Sequence, residues 1–475
     1  MRKKSVVRAV AALAGGCVLG VSGVAGAAQT CTAGAATIGD ANTVYINGSS
    51  AVKQLLQHLA YVLYTEGVAA QGDASPVDMS KIVKIVYQGS ASCEGLNDVL
   101  NSTSDPFAGT YMDPTTGTTA NPIASAVGCT ISPTATWNVD IGASDVYPNT
   151  CTGEGNTLTA PLYDFNQGSI QVMEIATNAQ GGTLSQPSIS AEAAYVVFGF
   201  GGMTTTVGPW TDHTQIFIRG NGTNAGGALS GTLGMIASAI GLLPSKWSTN
   251  AQAETGSGGV LSGLQGSTDA KASIGILSAS NVDPNKGPPV LNDASAITSG
   301  GISPLAFQAK GQTCGYYPDS TLSGVDKINV RQGRYVLWGA HHWITNTTAS
   351  DGGTPTPKGV NGNDAAVQSV IEHLMHESTL SAQADQAMIA AEAQTFDVPS
   401  CAMQAKRSGE VTQDTTAGEM SYLPPKGCGC YFESVVNKGA AISSYCTQTP
   451  SGGCTADSAC PSAYPKCNYG FCEVQ

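Results

Sequence analysis

The chain of 475 residues contains 58 glycines and 14 cysteines, and its 34 acidic residues outnumber its 21 basic ones. Nucleic-acid-binding proteins neutralise phosphates with clustered lysine and arginine, and this sequence contains no such basic cluster. Beyond the first 27 residues there is no run of about 18 uninterrupted apolar residues, so we expect neither a nucleic-acid-binding protein nor a membrane-spanning mature chain.

Residues 1–27 predict a cleavable secretory signal. Four basic residues within positions 2–8 precede an apolar run of small residues, which ends in Ala-Gly-Ala at positions 25–27. We therefore expect export to the periplasm, the cell surface or the medium. Cleavage removes four of the 21 basic residues and none of the 34 acidic ones. The field of such an acidic chain repels anions, so an anion site must be built locally from backbone amides and a few cations.

From Thr43 to about Val398, short β-rich runs alternate with helical patterns, which predicts an α/β architecture with mainly parallel sheets. The predicted strands include residues 44–46, 82–87, 171–176, 215–218 and 274–277. The clearest predicted helices, with apolar residues at helical spacing, are residues 52–63 and 365–375. Loop-like insertions rich in Thr, Gly, Pro and Asn are predicted at residues 101–138 and 280–301.

Three segments combine a β-run, a Gly/Ser/Thr turn and the start of a helix. They are residues 44–52, 85–95 and 216–227. The first amides of a helix have no internal partner and carry the positive end of its dipole, so each such corner can accept an anion. A lone corner of this kind is more often a simple helix cap. The third corner is the most informative, because it adds the guanidinium of Arg219.

A fourth segment, residues 139–145, is a predicted strand that ends in an acid, Asp145. Alone, this residue reads as a turn or cap residue. Next to an oxyanion, a carboxylate is repulsive unless the ligand carries a proton to share. Such a site selects phosphate-like anions and rejects sulfate, which has no proton at neutral pH.

Taken in order, these segments resemble the signature segments of the phosphate-binding proteins that serve bacterial phosphate importers. The resemblance rests on Tyr-Gln-Gly at positions 87–89, on Gly-Ala-Ser-Asp at positions 142–145 and on the corner that contains Arg219. It implies the type II periplasmic binding-protein fold, which is α/β and two-lobed, here with a small disulfide-rich C-terminal tail. It also implies capture of phosphate or a similar protonated oxyanion, delivery to the membrane subunits of an ABC importer, no enzymatic activity and no cofactor.

The resemblance assigns the ligand site by position. Ser92 donates a hydroxyl, Arg219 supplies the cation, and Thr223 takes the place of a serine in the family's Arg-x-Asp-Gly-Ser-Gly-Thr helix start. Asn221 replaces the acid of that motif. The full set of expected ligand-binding residues is Ser50, Ala51, Val52, Ser92, Asp145, Arg219, Thr223, Asn224 and Ala225.

We expect four regions after this assignment. They are the signal (1–27), a discontinuous lobe one (28–169 and 275–398), a lobe two (170–274) and a Cys-rich tail (399–475). Eight of the thirteen cysteines after the signal fall in the tail, where their spacing favours disulfides over zinc. Because thirteen is odd, at least one thiol is free or pairs between chains.

Two histidine pairs, 341–342 and 373–376, invite a metal interpretation. On a strand, adjacent His341 and His342 face opposite ways, and His373 and His376 read better as solvent-facing residues of a helix, so no metal site is expected. Two other functions stay open. One is an interaction protein that kept the scaffold and lost its ligand, with the tail binding an unknown partner, and the other is a secreted phosphatase, for which no nucleophile or metal site is recognisable.

Overall fold

A computed structural model describes most of the chain. The described residues are 29–30, 37–72, 75–101, 109–118, 122–124, 138–152, 158–179, 186–201, 207–220, 228–285, 301–348, 355–412, 419–437, 446–449 and 452–474. The predicted signal, Cys31, Cys129 and the predicted ligand residues Thr223, Asn224 and Ala225 lie outside them.

The described chain alternates short strands and helices. The strands are β1 (Gln29–Thr30), β2 (Thr37–Ile38), β3 (Thr43–Gly48), β4 (Lys84–Gly89), β5 (Thr110–Tyr111), β6 (Ile141–Ser144), β7 (Leu162–Phe165), β8 (Ser169–Asn178), β9 (Ser188–Ser190), β10 (Ile216–Arg219), β11 (Gln252–Glu254), β12 (Ile274–Ser278), β13 (Ile302–Pro304), β14 (Ala306–Gln308), β15 (Trp338–Ala340), β16 (His342–Thr348), β17 (Thr356–Lys358), β18 (Val398–Pro399), β19 (Ala405–Arg407), β20 (Glu419–Ser421), β21 (Lys466–Asn468) and β22 (Phe471–Glu473). The helices are α1 (Lys53–Ala70), α2 (Ser92–Asn101), α3 (Pro148–Thr152), α4 (Ala191–Phe200), α5 (Gly231–Ile240), α6 (Ser257–Gln265), α7 (Ala279–Val282), α8 (Ile328–Arg331), α9 (Asp364–Leu374), α10 (Ala382–Gln394) and α11 (Gly429–Val436).

Two seven-stranded sheets organise the protein. Sheet one has the order β17-β16-β6-β3-β4-β5, and β7 also pairs with β16. Its centre, β6-β3-β4, is parallel, as the sequence predicts for strands joined through helices. Strand β3 shows why the sheet is covered on both faces: Val44 and Ile46 enter one apolar cluster, while Tyr45 between them enters another.

Sheet two has the order β11-β10-β12-β8-β13, and β15 and β18 also pair with β8. Strands β11, β10 and β12 are parallel, and the partners of β8 are antiparallel to it. All ten residues of β8 are buried, which fits a central strand covered on both faces. The two sheets with their helices confirm the predicted two-lobed α/β class. The expectation of mainly parallel sheets is wrong, because most of the strand pairings in both sheets are antiparallel.

The sheets do not follow the predicted lobe boundary. We expected the chain to return to lobe one at residue 275, but β12, β13 and β15 all pair with β8 in sheet two. The chain returns to sheet one only at β16, and β18 pairs with β8 again. Hydrophobic runs of similar composition fill both sheets, so the sequence pattern does not distinguish which sheet a strand joins.

The tail is cross-linked as predicted. All eight of its cysteines form disulfides within the tail, namely Cys401–Cys428, Cys430–Cys446, Cys454–Cys467 and Cys460–Cys472. In the main body, Cys93 pairs with Cys151, and Cys314 is free and exposed. The sulfurs of Cys454, Cys460 and Cys472 lie close together because two disulfides are adjacent.

The tail is also packed into the body of the protein. Phe432 and Val436 of α11 belong to the largest apolar cluster, which covers sheet two. Arg331 of α8 donates to Glu433 of α11 at 2.7 Å, and both side chains are almost fully buried. The Cys-rich segment therefore completes the core of lobe two. Among the described helices, none is both long and apolar enough to cross a bilayer.

Candidate oxyanion site

The first corner places Ser49 at the end of β3. Gly48 before it has a φ of +140°, and a Cβ there would collide with the carbonyl oxygen of Ala143 on β6, so only glycine fits. The Ser49 hydroxyl donates to Asp145 Oδ2 at 2.5 Å. The Tyr87 hydroxyl donates to the Ser49 carbonyl at 2.5 Å and fixes this turn. Burial raises the pKa of Tyr87, so the phenol stays a donor.

The second corner positions Ser92, the first residue of α2. This helix can lie close to β3 and β6 because two glycines stand at the contact. A Cβ on Gly95 would collide with the Asn47 carbonyl, and a Cβ on Gly142 would lie 2.5 Å from the Gly95 carbonyl oxygen. The disulfide between Cys93 and Cys151 ties the same end of α2 to α3. The helix start is thereby held against the end of β6.

Asp145 links the first two corners. Its Oδ2 accepts from Ser49 Oγ at 2.5 Å and from Ser92 Oγ at 3.4 Å. Its backbone amide donates to Ser92 Oγ at 3.2 Å. All three side chains are buried. The structure therefore brings Ser92 and Asp145 together, and Ser49 lies with them.

Arg219, at the carboxyl end of β10, brings a buried cation from the other sheet. Only 2% of the residue is exposed, and its Nε and Nη1 atoms have no hydrogen-bond partner among the described residues. Burial lowers the pKa of Arg219, while the Asp145 carboxylate and the Tyr87 hydroxyl act in the opposite direction, which places these groups within electrostatic reach of the guanidinium. A buried guanidinium with free donors is costly unless a ligand satisfies it.

Helix α5 brings backbone amides of lobe two to this place. It begins at Gly231, with the Ser230 hydroxyl accepting from the Leu233 amide at 3.3 Å as an N-cap. The helix start is therefore Ser230-Gly231-Thr232, which repeats the Ser-Gly-Thr end of the family motif that we assigned to residues 223–225. The intervening segment, residues 221–227, lies outside the described residues.

Gly231 lies directly on the lobe-one residues. A Cβ on Gly231 would collide with Ser92 Oγ and would lie 2.8 Å from the Cβ of Asp145. The Cys93 amide also donates to the Leu229 carbonyl at 3.3 Å. The two lobes therefore meet at the candidate site.

We expect Gly231→Ala to destabilise the protein by about 1–3 kcal/mol, because the added methyl overpacks the contact with Ser92 and Asp145. The matched control is Gly258→Ala on α6, where a Cβ would have no neighbour within 4 Å. Urea unfolding of both variants measures the difference. Equal unfolding free energies for the two variants would contradict the close approach of the lobes.

The predicted ligand residues of the first corner, Ser50, Ala51 and Val52, make no contact with Asp145 among the hydrogen bonds of the described residues. Ser50, Ala51 and Val52 form a 3-10 turn whose Ala51 amide already donates to Ser49 Oγ at 3.1 Å. The Val52 side chain packs in the apolar cluster of lobe one. It is Ser49, one residue earlier than the predicted set, whose hydroxyl reaches Asp145. The repeated Gly/Ser composition of the turn gave no signal to distinguish these positions.

His341 is a residue of this region that sequence reasoning missed. Its Nδ1 lies 3.5 Å from Asp145 Oδ1 and its Nε2 lies 3.6 Å from Asp397 Oδ1, and the ring is fully buried. Burial alone would lower the pKa of His341, but the carboxylates of Asp145 and Asp397 on either side of the ring raise it to about 10. Because His342 instead contacts Asp164 at 2.7 Å, the two adjacent rings face different partners, as expected.

The second histidine pair differs from its predicted solvent exposure. His373 is buried, and its Nε2 lies 2.7 Å from Glu66 Oε2 on α1. His376 lies between Asp385 and Glu392, at 3.0 Å from each. These histidines, which we expected on a solvated face, are covered because α10 and α1 pack against this end of the helix. Each ring contacts carboxylates of those two helices.

The two sheets, with polar side chains gathered at the carboxyl ends of β3, β4, β6 and β10, form a two-lobed α/β fold. No protein-family model and no curated protein matches the chain. Among solved structures it is similar to a DING protein, with a TM-score of 0.41, 14% identity and coverage of 79% of this chain and 98% of that one.

Two further solved structures are similar to the chain. One is a human phosphate binding apolipoprotein, with a TM-score of 0.37, 15% identity and coverage of 72% of this chain and 95% of that one. The other is an ABC-type phosphate transport receptor from Vibrio cholerae, with a TM-score of 0.36, 13% identity and coverage of 65% of this chain and 88% of that one.

Proposed function

We propose that the protein captures a protonated oxyanion of the phosphate class between its lobes. The observation that carries this proposal is the buried Arg219, whose Nε and Nη1 lack partners among the described residues. It lies within electrostatic reach of Asp145, which is hydrogen-bonded to two hydroxyls. An oxyanion accepts from the guanidinium and from helix-start amides, and this removes the cost of the unpaired buried donors.

Asp145 gives this site its selectivity. A carboxylate oxygen that faces an oxyanion binds it only if a proton lies between the two oxygens. Phosphate and arsenate carry such a proton at neutral pH, whereas sulfate does not. We therefore infer that the Asp145 carboxylate repels sulfate, which has no proton to donate to it.

The transport role belongs to the same proposal. Five disulfides in the described residues are typical of a protein that folds in an oxidising compartment outside the cytoplasm. Together with the predicted signal, they support export, and the resemblance of the site segments supports delivery of the ligand to an ABC importer. A non-enzymatic role is consistent with a site that holds a cation and an acceptor for binding.

Calorimetric titration with phosphate, arsenate and sulfate tests the proposal. We expect binding of phosphate and arsenate and no measurable binding of sulfate at pH 7.5. Asp145→Asn should weaken phosphate and admit sulfate, because an amide can donate to a fully ionised oxygen. The matched control is Glu377→Gln, which removes an exposed carboxylate elsewhere. If none of the three anions binds the native protein, the proposal is wrong.

One observation favours the alternative of an interaction protein that has lost its ligand. The start of α5 touches Ser92 and Asp145 through Gly231, so a direct contact between the lobes takes up part of the space that an anion would need. In that case the same titrations give no heat with any oxyanion. Turnover of a chromogenic phosphate ester, lost on addition of a chelator, would instead indicate the phosphatase.

A further inference from the structure

The described chain passes between the two sheets at three places, which we call the crossover segments. They lie between β7 and β8, between β15 and β16, and between α10 and β18. Hydrogen bonds join them: the His341 amide donates to the Ser169 carbonyl at 3.0 Å, and the Ser400 amide donates to the Gly168 carbonyl at 2.9 Å. A rotation of one lobe against the other has to be absorbed in these segments.

His341 is the residue that lies between β15 of sheet two and β16 of sheet one. On one side of its ring is Asp145, in the candidate site, and on the other is Asp397, which precedes β18 in another crossover segment. One buried ring thus connects the ligand carboxylate with two of the three segments between the lobes.

The geometry selects the charged form of this ring. A neutral imidazole has one nitrogen without a proton, and here that lone pair would face a carboxylate oxygen, whichever tautomer formed. The imidazolium presents N–H groups to both carboxylates. Burial of two carboxylates at this place also requires a compensating cation nearby.

The Arg219 guanidinium acts on Asp145, but the other groups around the ring do not supply a cation to Asp397. The ring of Trp343 lies at 5.9 Å between centroids. Glu392 on α10 acts on the ring through its charge, but it is paired with His376 at 3.0 Å. The second oxygen of Asp397 accepts from Thr395 Oγ1 at 2.9 Å, a neutral donor. On the far side of Asp145 lie the Ser49 and Ser92 hydroxyls, Tyr87 and the Arg219 guanidinium.

We propose that His341 is a positioning residue of the oxyanion site: as an imidazolium it lies between Asp145 and Asp397, fixes the orientation of the Asp145 carboxylate, and ties it through Asp397 to the crossover segments. This inference rests on the proposed function. The Oδ1 atom of Asp145 faces the imidazolium, which leaves Oδ2, already in contact with the two hydroxyls, as the acceptor for the proton of the ligand.

This arrangement predicts how selectivity depends on the ring. Without the imidazolium, Asp145 Oδ1 loses the cation that faces it, so the carboxylate can turn away from the ligand and sulfate meets less repulsion. We expect His341→Gln to reduce the ratio of phosphate to sulfate affinity by at least about tenfold between pH 6 and pH 8. In the native protein the ratio should stay high across this range, because the charge of the ring persists.

Two measurements test the role. Calorimetry at pH 6, 7 and 8 compares the native protein with His341→Gln and with the control His342→Gln, whose ring is also buried and carboxylate-paired but contacts Asp164 instead. Nitrogen-15 NMR of the imidazole of His341 in the native protein reads its protonation directly, with or without ligand. We expect two protonated ring nitrogens at pH 8, and loss of this state in Asp397→Asn.

The outcomes separate the two ideas. A native protein that binds no oxyanion overturns the proposed function and this role with it. Native binding with an unprotonated ring nitrogen at pH 7 overturns the role of His341 alone, even if His341→Gln fails to fold. Native binding with a charged ring, but equal phosphate-to-sulfate ratios in the two glutamine variants, also overturns it alone.

Discussion

Arg219→Ala should weaken phosphate binding by about 2–5 kcal/mol, which is a loss of roughly 30-fold to several thousandfold in affinity. The guanidinium is 98% buried and has two donors without a partner among the described residues, so an anion between the lobes pairs with it in a desolvated environment. Loss of that cation leaves the anion facing Asp145 without compensation. Calorimetry with phosphate at pH 7.5 measures the change.

The same substitution should not weaken the unliganded fold. An unpaired buried charge costs free energy in the folded state, so its removal leaves the free energy of unfolding unchanged or raises it. Arg334→Ala is the matched control, because Arg334 is exposed and should affect neither property. Unchanged phosphate affinity in Arg219→Ala would show that this arginine does not bind the anion, and a large loss of stability would show that it has a structural role instead.

Glu433→Gln should lower the free energy of unfolding by about 3 kcal/mol. Its carboxylate is the hydrogen-bonded partner of Arg331 at 2.7 Å, and the substitution leaves the cation buried without that counter-charge. Arg331 also donates from Nε to the Ala402 carbonyl at 2.9 Å and lies over the Phe432 ring, so the loss affects the whole contact between α8 and the tail. Equilibrium urea unfolding with the disulfides intact measures it.

Two further variants serve as controls for the unfolding of Glu433→Gln. Lys466→Gln breaks an exposed ion pair with Asp457 in the same tail and should cost less than about 1 kcal/mol. Arg331→Met combined with Glu433→Gln should recover part of the loss, because no unpaired charge then stays buried. If Glu433→Gln costs no more than Lys466→Gln, the tail does not depend on this buried pair.

The local half of the site was predictable from sequence. A β-run, a small-residue turn and a helix start are adjacent in the chain, so the pattern located Ser92 at the start of α2 and Asp145 at the end of β6. The alternation of elements likewise predicted the α/β class. Both predictions depend on short-range constraints, namely the period of a strand or helix and the capping chemistry of its ends.

The non-local half was not predictable. The start of α5 lies after the segment 221–227, so the motif Ser230-Gly231-Thr232 stands seven residues after the positions 223–225 to which the resemblance assigned it. The role of His341 depends on its contacts with Asp145 and Asp397, which are distant from it in the sequence. The tail has almost no apolar periodicity, and only the structure shows that Phe432 fits the core of lobe two.

The glycine contacts in lobe one have a kinetic consequence for the proposed ligand. Gly48, Gly95 and Gly142 bring β3, β6 and α2 into backbone contact, which leaves no side-chain layer that could shift between them. The hydroxyls and the carboxylate of this half are therefore in place before an anion arrives. Rejection of sulfate then belongs to the first encounter with the open lobe, and the closing motion governs how long an accepted anion stays.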